Sequence, residues 1–147
     1  MGYHNPVEDE LAIRDLCARY IDAINRIDDE LWKSTWAEDA SWSLLGQDLS
    51  GRDNLVTFWR NTMGVFNFVI MTLNSGTVDI QGDRATGRWY VKEQMSIKGT
   101  EPGIMLGIYD DEYVKQDGCW LFQSRKYHIL YQGPADMSGE HHPYPAG

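Results

Sequence analysis

Glu93 and His128 are the two candidate acid–base groups within the predicted core elements. Glu93 lies in RATGRWYVKEQMSI, on the same and more apolar strand face as Trp89 and Val91. A carboxyl group held among apolar side chains has its charged form disfavoured, which raises its pKa toward that of a general acid or base. A solvated position near the strand end, or an ion pair with Arg125, is the structural alternative.

His128 lies in CWLFQSRKYHILYQG and is the only one of the four histidines in a predicted core element. Strict alternation places it on the same strand face as Trp120 and Phe122. Since Glu93 and His128 both occupy long strands of one sheet, we expect them to converge as an acid–base pair. A core or rim histidine with a purely structural hydrogen bond is the alternative.

Several aromatic residues and one amide are candidate substrate-binding groups. Tyr and Trp carry a large apolar body with a polar tip, so they suit a pocket wall that also hydrogen-bonds a ligand oxygen. An ordinary aromatic core would use the same residue types. The amide could hold a substrate oxygen or a water. The candidates are Tyr20, Asn25, Trp42, Trp89 and Tyr109.

The elements that must position these groups are helices followed by long strands. Apolar residues recur every three or four positions over 8–26, which predicts a first helix. A short second helix through Trp36, a strand over 41–46 and a third helix over 51–63 follow. Four segments rich in β-branched and aromatic residues then predict long strands, bounded by turn signals. They cover 66–82, 84–99, 104–116 and 119–133.

This order predicts an α+β fold in which a curved, mixed or antiparallel sheet wraps around the N-terminal helices. Such a sheet forms a cone whose open end makes a central pocket. We expect one domain over 1–133 and a loop-like tail over 134–147. The prolines around Tyr144 would permit the tail to act as a lid, and the sequence leaves open whether it covers the pocket.

Composition narrows the expected partners and location. With 13 basic and 22 acidic residues, the formal net charge of −9 disfavours nucleic acids and anionic membranes as partners. No apolar run approaches the roughly 20 residues of a membrane span, and MGYHNPVEDE does not read as a signal peptide. A soluble, cytoplasmic protein is the expectation.

Two cysteines and the tail pair His141–His142 make no recognisable metal site, and no phosphate-binding loop appears. We therefore predict no metal and no cofactor.

Two long segments together resemble one known family. AIRDLCARYIDAINRIDDELWKSTWAEDASW has a helix end, an aromatic-Ala-x-Asp-Ala step and a following strand. YDDEYVKQDGCWLF has a Tyr-rich strand, an Asp-Gly turn and a Trp-x-Phe strand. In this order they resemble the SnoaL-like family of the nuclear transport factor 2-like superfamily, over about residues 8–133.

The resemblance implies a cone-shaped α+β barrel and, in the family's enzymes, cofactor-free dehydration, dehydrohalogenation, isomerisation or cyclisation. It also implies a homo-oligomer, because members commonly associate through the outer face of the sheet. In dehydratases of this kind, an aspartate near the end of the first helix orients a histidine general base. The corresponding positions here are Asn25 and either Ile70 or Met71. The resemblance therefore implies that this pair is absent.

Two functions follow from these observations. The first is a cofactor-independent lyase, isomerase or cyclase in which Glu93 and His128 transfer protons on a small, largely apolar, oxygenated molecule. The second is a non-catalytic small-ligand-binding or accessory protein that has lost the Asp/His pair. A protein-interaction module is a third possibility, and it would show a filled cone with an exposed apolar face.

Overall fold

Three helices precede most of the sheet in the computed structural model, which describes residues 5–146. They are α1 (Pro6–Arg26), α2 (Asp29–Ser34) and α3 (Arg52–Met63). The side chain of Asn5 accepts hydrogen bonds from the first backbone N–H groups of α1, and the left-handed conformation of Ile27 ends the helix. Residues 1–4 and 147, the outer ends of the predicted domain and tail, lie outside the described residues.

Seven strands form one curved, unclosed sheet in the order β2-β1-β6-β5-β4-β3, with β7 paired to β6. Only β1 and β6 pair in parallel, and the other pairs are antiparallel. The predicted α+β cone is confirmed. The strands are β1 (Trp36–Leu44), β2 (Gln47–Ser50), β3 (Phe66–Gln81), β4 (Arg84–Ile97), β5 (Gly103–Gln116), β6 (Cys119–Gly133) and β7 (Glu140–His141).

The first strand begins earlier than the sequence predicted. Helix α2 ends at Ser34, and the carbonyl of Thr35 accepts a hydrogen bond from the backbone N–H of Phe122 at 2.9 Å. Trp36 is then paired with β6. Contact with a strand more than 80 residues later therefore fixes this boundary, and local propensity does not.

The core fills the inside of the cone between α1, α2 and the concave face of the sheet. Four tryptophans from α2, β1 and α3 form its centre, and the rings of Trp32 and Trp59 stack with centroids 5.0 Å apart. The apolar stripe of α1 packs against the same group. The tryptophans are Trp32, Trp36, Trp42 and Trp59.

Strand β6 changes the face it presents to the core halfway along its length. Phe122 lies opposite Tyr113, but Ser124 lies opposite Glu112, so Gln123 is an extra residue in β6. Such a bulge shifts the alternation by one residue. The side chains of Arg125 and Tyr127 therefore enter the cone, and that of His128 points outward.

The C-terminal tail lies across the outer face of the sheet. The backbone N–H of His142 donates to the carbonyl of Leu130, and the Tyr144 hydroxyl lies 2.6 Å from that of Tyr90. The Arg88 guanidinium also donates to the Tyr144 hydroxyl at 3.1 Å. Residues 134–146 contribute no side chain to the pocket described below, so the tail does not form the lid that its stiffness would permit.

Candidate active site

A pocket of about 180 Å³ occupies the open end of the cone, between α1, α3 and strands β1 and β3–β6. Its walls are aromatic rings, aliphatic side chains and four methionines. The aromatic members are Tyr20, Trp42, Trp59, Phe66, Tyr109 and Tyr127; the methionines are Met63, Met71, Met95 and Met105. Glu93 is the one lining residue with a formal charge.

Glu93 projects from β4 into this pocket, as its strand alternation predicted. Met71 of β3 and Met105 of β5 are its neighbours across the sheet. The carboxyl group makes no hydrogen bond or ion pair with any residue over 5–146. Burial among these apolar walls raises the pKa of Glu93 to about 7. The group can therefore both take and give a proton near neutral pH.

Three phenol groups share the pocket with Glu93. The hydroxyls of Tyr20 and Tyr109 lie 3.3 Å apart, and the rings of Tyr109 and Tyr127 are 5.0 Å apart. Burial raises the pKa of each phenol, and in Tyr127 the negative charge of Glu93 adds to this effect. All three phenols therefore stay protonated at neutral pH and can donate hydrogen bonds to a ligand oxygen.

An ion pair lies deeper in the cone, beside the phenol rings. The Arg125 Nε and Nη2 atoms lie 2.7 and 3.1 Å from the two carboxylate oxygens of Asp111. The guanidinium carbon lies 3.7 Å from the centroid of the Tyr109 ring. Burial opposes the charge of Arg125, but Asp111 and the neighbouring phenol and thiol groups together outweigh it, so the pKa of Arg125 lies above its ordinary value. The pair is internally neutral and holds the back of the Tyr109 ring in place.

Four of the seven residues singled out from the sequence meet at the pocket. Tyr20, Trp42 and Tyr109 line it together with Glu93. Their functional roles stay predictions.

Trp89 lies in the core away from the pocket, so its predicted place in the pocket wall is wrong. Its indole N–H donates to the Tyr113 hydroxyl at 2.8 Å, and the Arg14 guanidinium lies over its ring. Trp89 does face inward, but it precedes Glu93 by four residues, roughly 13 Å along a strand. There the Trp89 indole packs directly on Gly76, and a Cβ atom on residue 76 would collide with the ring.

Asn25 lies outside the pocket lining, and its amide hydrogen-bonds to the backbone of β3. Its amide nitrogen donates to the Met71 carbonyl at 2.9 Å, and its amide oxygen accepts from the Met71 N–H at 2.7 Å. Strand β3 is an edge of the sheet, so these backbone groups have no neighbouring strand. The Asn25 amide makes the hydrogen bonds that a neighbouring strand would make, and so links α1 to β3.

His128 does not converge with Glu93, because the two side chains lie on opposite faces of the sheet. Its Nε2 atom lies 3.1 Å from an Asp110 carboxylate oxygen, and Arg88 Nε donates to the other oxygen at 2.9 Å. The alternation that placed His128 inside the cone fails at the bulge around Gln123. The predicted convergence of Glu93 and His128 into one acid–base pair is therefore wrong.

Sequence reasoning missed Tyr127, which the same bulge turns into the pocket. No local signal marks that change of face. It also missed the buried pair of Asp111 and Arg125. A signal for that pair was present, because Asp111 alternates with Tyr109 and Tyr113, and an acid on a buried face needs a partner.

The described part of the chain shows no cluster of three or more His, Cys, Asp and Glu side chains placed to hold a metal ion. Over the same residues, none of the helices is long and apolar enough to cross a membrane.

Comparison with known proteins agrees with the class that the geometry defines, an α+β cone with a pocket at its open end. The model of the SnoaL-like domain family matches residues 5–126. The chain therefore belongs to the SnoaL-like family. The sequence matches no curated protein.

Solved structures share the fold over nearly the whole chain. A type 3 hexachlorocyclohexane dehydrochlorinase from Novosphingobium barchaimii LL02 is 20% identical, with 95% of this chain and 97% of that chain covered and a TM-score of 0.81. A proposed scytalone dehydratase from Novosphingobium aromaticivorans is 19% identical, with 96% and 97% covered and a TM-score of 0.83. A Mycobacterium tuberculosis protein of unknown function, solved as an aspartate-to-asparagine variant, is 29% identical, with 82% and 76% covered and a TM-score of 0.75.

Proposed function

We propose that this protein is a cofactor-independent lyase or isomerase that transfers a proton on a small, largely apolar, oxygenated molecule. The observation that carries the proposal is the unpaired carboxyl group of Glu93 in an apolar pocket beside three neutral phenols. Perturbed carboxyl groups in clefts are typical of acid–base sites. The fold shared with a dehydrochlorinase supports the same class of reaction.

In the proposed reaction, the Glu93 carboxylate removes a proton from a carbon next to a carbonyl group of the substrate. The C–H electron pair forms a new C=C bond, and the carbonyl π electrons move to its oxygen. Tyr20, Tyr109 and Tyr127 supply hydrogen-bond donors for the resulting oxyanion. In an isomerisation of a β,γ-unsaturated carbonyl compound, the C=O bond re-forms, the C=C bond shifts to the α,β position, and Glu93 returns the proton to the γ carbon. In a dehydration, the C=O bond re-forms, the enolate electron pair forms a C=C bond to the β carbon, and the β C–O bond breaks as the departing hydroxyl takes the proton from Glu93 and leaves as water.

The base of this reaction differs from the Asp/His pair that the resemblance implies for dehydratases. The chain has Asn25 and either Ile70 or Met71 at the corresponding positions, and the Asn25 amide hydrogen-bonds to the Met71 backbone. The Met71 side chain points into the pocket, where it faces Glu93 across β3 and β4. In this proposal, Glu93 supplies the base from the neighbouring strand.

Exchange of α-protons in cyclohexanone, followed by NMR in D₂O, tests the proposal without knowledge of the natural substrate. We expect the wild-type protein to exchange these protons at least about 100-fold faster than Glu93→Gln, the lower range for a positioned general base. The rate should rise with pH through about 7, because the carboxylate is the active form. His128→Asn is the matched control and should keep the wild-type rate. Equal rates for wild type and Glu93→Gln would remove Glu93 as the base.

A non-catalytic small-ligand-binding or accessory protein is the second candidate, and one observation favours it. Asn25 has a neutral amide where the resemblance implies an aspartate, and this amide hydrogen-bonds to the Met71 backbone, so it supplies no acid–base group. Binding of cyclohexanone without exchange that depends on Glu93 would establish this reading.

We also propose that the chain forms a homo-oligomer, as is common in its superfamily. Light scattering on the purified protein tests this, since a monomer has a mass of 16.9 kDa.

A further inference from the structure

We infer that the pocket selects neutral, single-ring molecules that carry a carbonyl or hydroxyl oxygen, and that it rejects carboxylates and fused-ring molecules. The inference rests on the proposed function in one respect, since it takes this pocket as the substrate site. It adds the size, the charge and the hydrogen-bonding character of the substrate.

The size of the cavity sets the first limit. Its volume is about 180 Å³. In another protein, an engineered apolar cavity of about 150 Å³ binds benzene. The pocket thus has room for one six-membered ring with a small substituent, and a second fused ring exceeds that room.

The wall that enforces this limit consists of Met95, Ile97 and Met105. These three side chains line both the pocket and an open groove of about 450 Å³ beside the β4–β5 loop. A longer ligand must displace them to reach the groove. Methionine side chains can repack, so truncation of one of them should open the wall.

The charge of the lining sets the second limit. Glu93 is the one charged residue that lines the pocket. The nearest buried cation, Arg125, is already paired with both oxygens of Asp111. A carboxylate ligand would therefore be desolvated beside another negative charge with no available positive charge, which strongly disfavours its binding.

Hydrogen-bond donors in the pocket wall favour a ligand that carries a carbonyl or hydroxyl oxygen. Tyr20, Tyr109 and Tyr127 line the pocket, and their phenol groups stay protonated at neutral pH. These phenols favour a ligand that presents a hydrogen-bond acceptor. Trp42 and Trp59 also line the pocket, but their indole nitrogens are buried, so they contribute apolar ring surface.

A titration monitored by ¹⁵N NMR at pH 8 tests the inference, with the indole N–H signals of Trp42 and Trp59 as local reporters. The probes are cyclohexanone, cyclohexanecarboxylate and 2-decalone, which differ in charge or in ring number. We expect cyclohexanone to shift both signals and to bind at least tenfold more tightly than either of the other probes. Met95→Ala should improve 2-decalone binding several-fold, and Glu93→Gln should weaken the discrimination against cyclohexanecarboxylate.

Several outcomes would overturn the inference. They are no binding of cyclohexanone, comparable binding of either rejected probe to the wild-type protein, or unchanged selectivity in both variants with folded spectra. Failure of the inference differs from failure of the proposed function. If the probes bind in the expected order but no exchange depends on Glu93, the inference holds and the proposed catalysis fails. If exchange depends on Glu93 but 2-decalone binds as tightly as cyclohexanone, the inference fails and the proposed catalysis holds.

Discussion

Glu93 and Asp111 both project into the cone, and their surroundings are opposite. Asp111 accepts two hydrogen bonds from Arg125 and one from the Tyr113 hydroxyl at 2.7 Å. Glu93 has no such partner among the described residues, and apolar side chains surround it. A carboxylate with every oxygen satisfied can hold parts of a fold together but has no capacity left for a substrate. The difference separates a structural carboxylate from a chemical one within the same cone.

The largest effect should follow from breaking the satisfied carboxylate. Asp111→Ala leaves the Arg125 charge buried without a partner, so we expect a loss of about 3–5 kcal/mol in the free energy of unfolding. Chemical denaturation measures it. The control is Asp110→Ala, one residue away, where the ion pair with Arg88 is solvent-screened, so the loss should be much smaller.

Replacement of both partners sharpens this test. Asp111→Leu combined with Arg125→Met removes both charges, and we expect it to be more stable than Asp111→Ala alone. A double variant as unstable as the single one would mean that the pair contributes more than charge compensation.

Replacement of the Glu93 carboxyl group should have the opposite effect on the free energy of unfolding, because this group has no partner among the described residues. Burial raises the pKa of Glu93 from 4.5 to about 7, so the folded protein binds a proton that the unfolded chain releases between these values. The contribution of Glu93 to stability is therefore present below pH 4.5 and is lost as pH rises through about 7. Glu93→Gln should thus become more stable than wild type with increasing pH, by at most about 3 kcal/mol at pH 8. The partial exposure of Glu93 reduces this value.

Denaturation of wild type and Glu93→Gln at several pH values measures this difference directly. Glu112→Gln, an exposed carboxyl group on β5, is the control and should follow the wild-type curve. If Glu93→Gln follows it as well, Glu93 is solvated and the contrast with Asp111 disappears.

A smaller effect is expected at Asn25, where a polar side chain is satisfied without any charge. Asn25→Ala removes two hydrogen bonds to Met71 and leaves its backbone groups unpaired, so we expect a loss of about 2 kcal/mol. Faster hydrogen exchange of the Met71 amide would locate the effect. Asp22→Ala, on the exposed face of the same helix, should change stability by less than about 0.5 kcal/mol. Similar losses in both variants would contradict the role of Asn25 as a fastening between α1 and β3.

The smallest effect should come from His128 on the outer face. Its contact with Asp110 is partly exposed, so His128→Asn should change the free energy of unfolding by no more than about 1 kcal/mol. Turnover or exchange should stay within twofold of wild type. A tenfold loss would mean that the outer face takes part in the chemistry.

Much of the site could be predicted because β4 and the first half of β5 alternate regularly. Alternation places Glu93 inside from its own strand alone, and the regular pairing of β4 with β5 keeps Tyr109 on the same face. The long helical stripe likewise places Tyr20 inside. Local periodicity was sufficient wherever no bulge interrupted it.

The failures share one physical cause, since each depends on contacts distant in the chain. The bulge at Gln123 exchanges His128 for Tyr127, and the pairing of β5 with β6 creates it. Asn25 is engaged because β3 is an edge strand, which only the order of the complete sheet decides. Trp89 faces the interior as predicted, but its depth in the cone follows from how the sheet curves over α1.

The sequence by itself determined the order of the three helices and five longer strands, the α+β class, the family and the inward direction of Glu93, because short-range periodicity and motif order encode all four. The tertiary structure decided which buried polar groups have partners. Desolvation and pairing depend on side chains that approach from other elements, so Asp111 became structural and Glu93 remained available for chemistry.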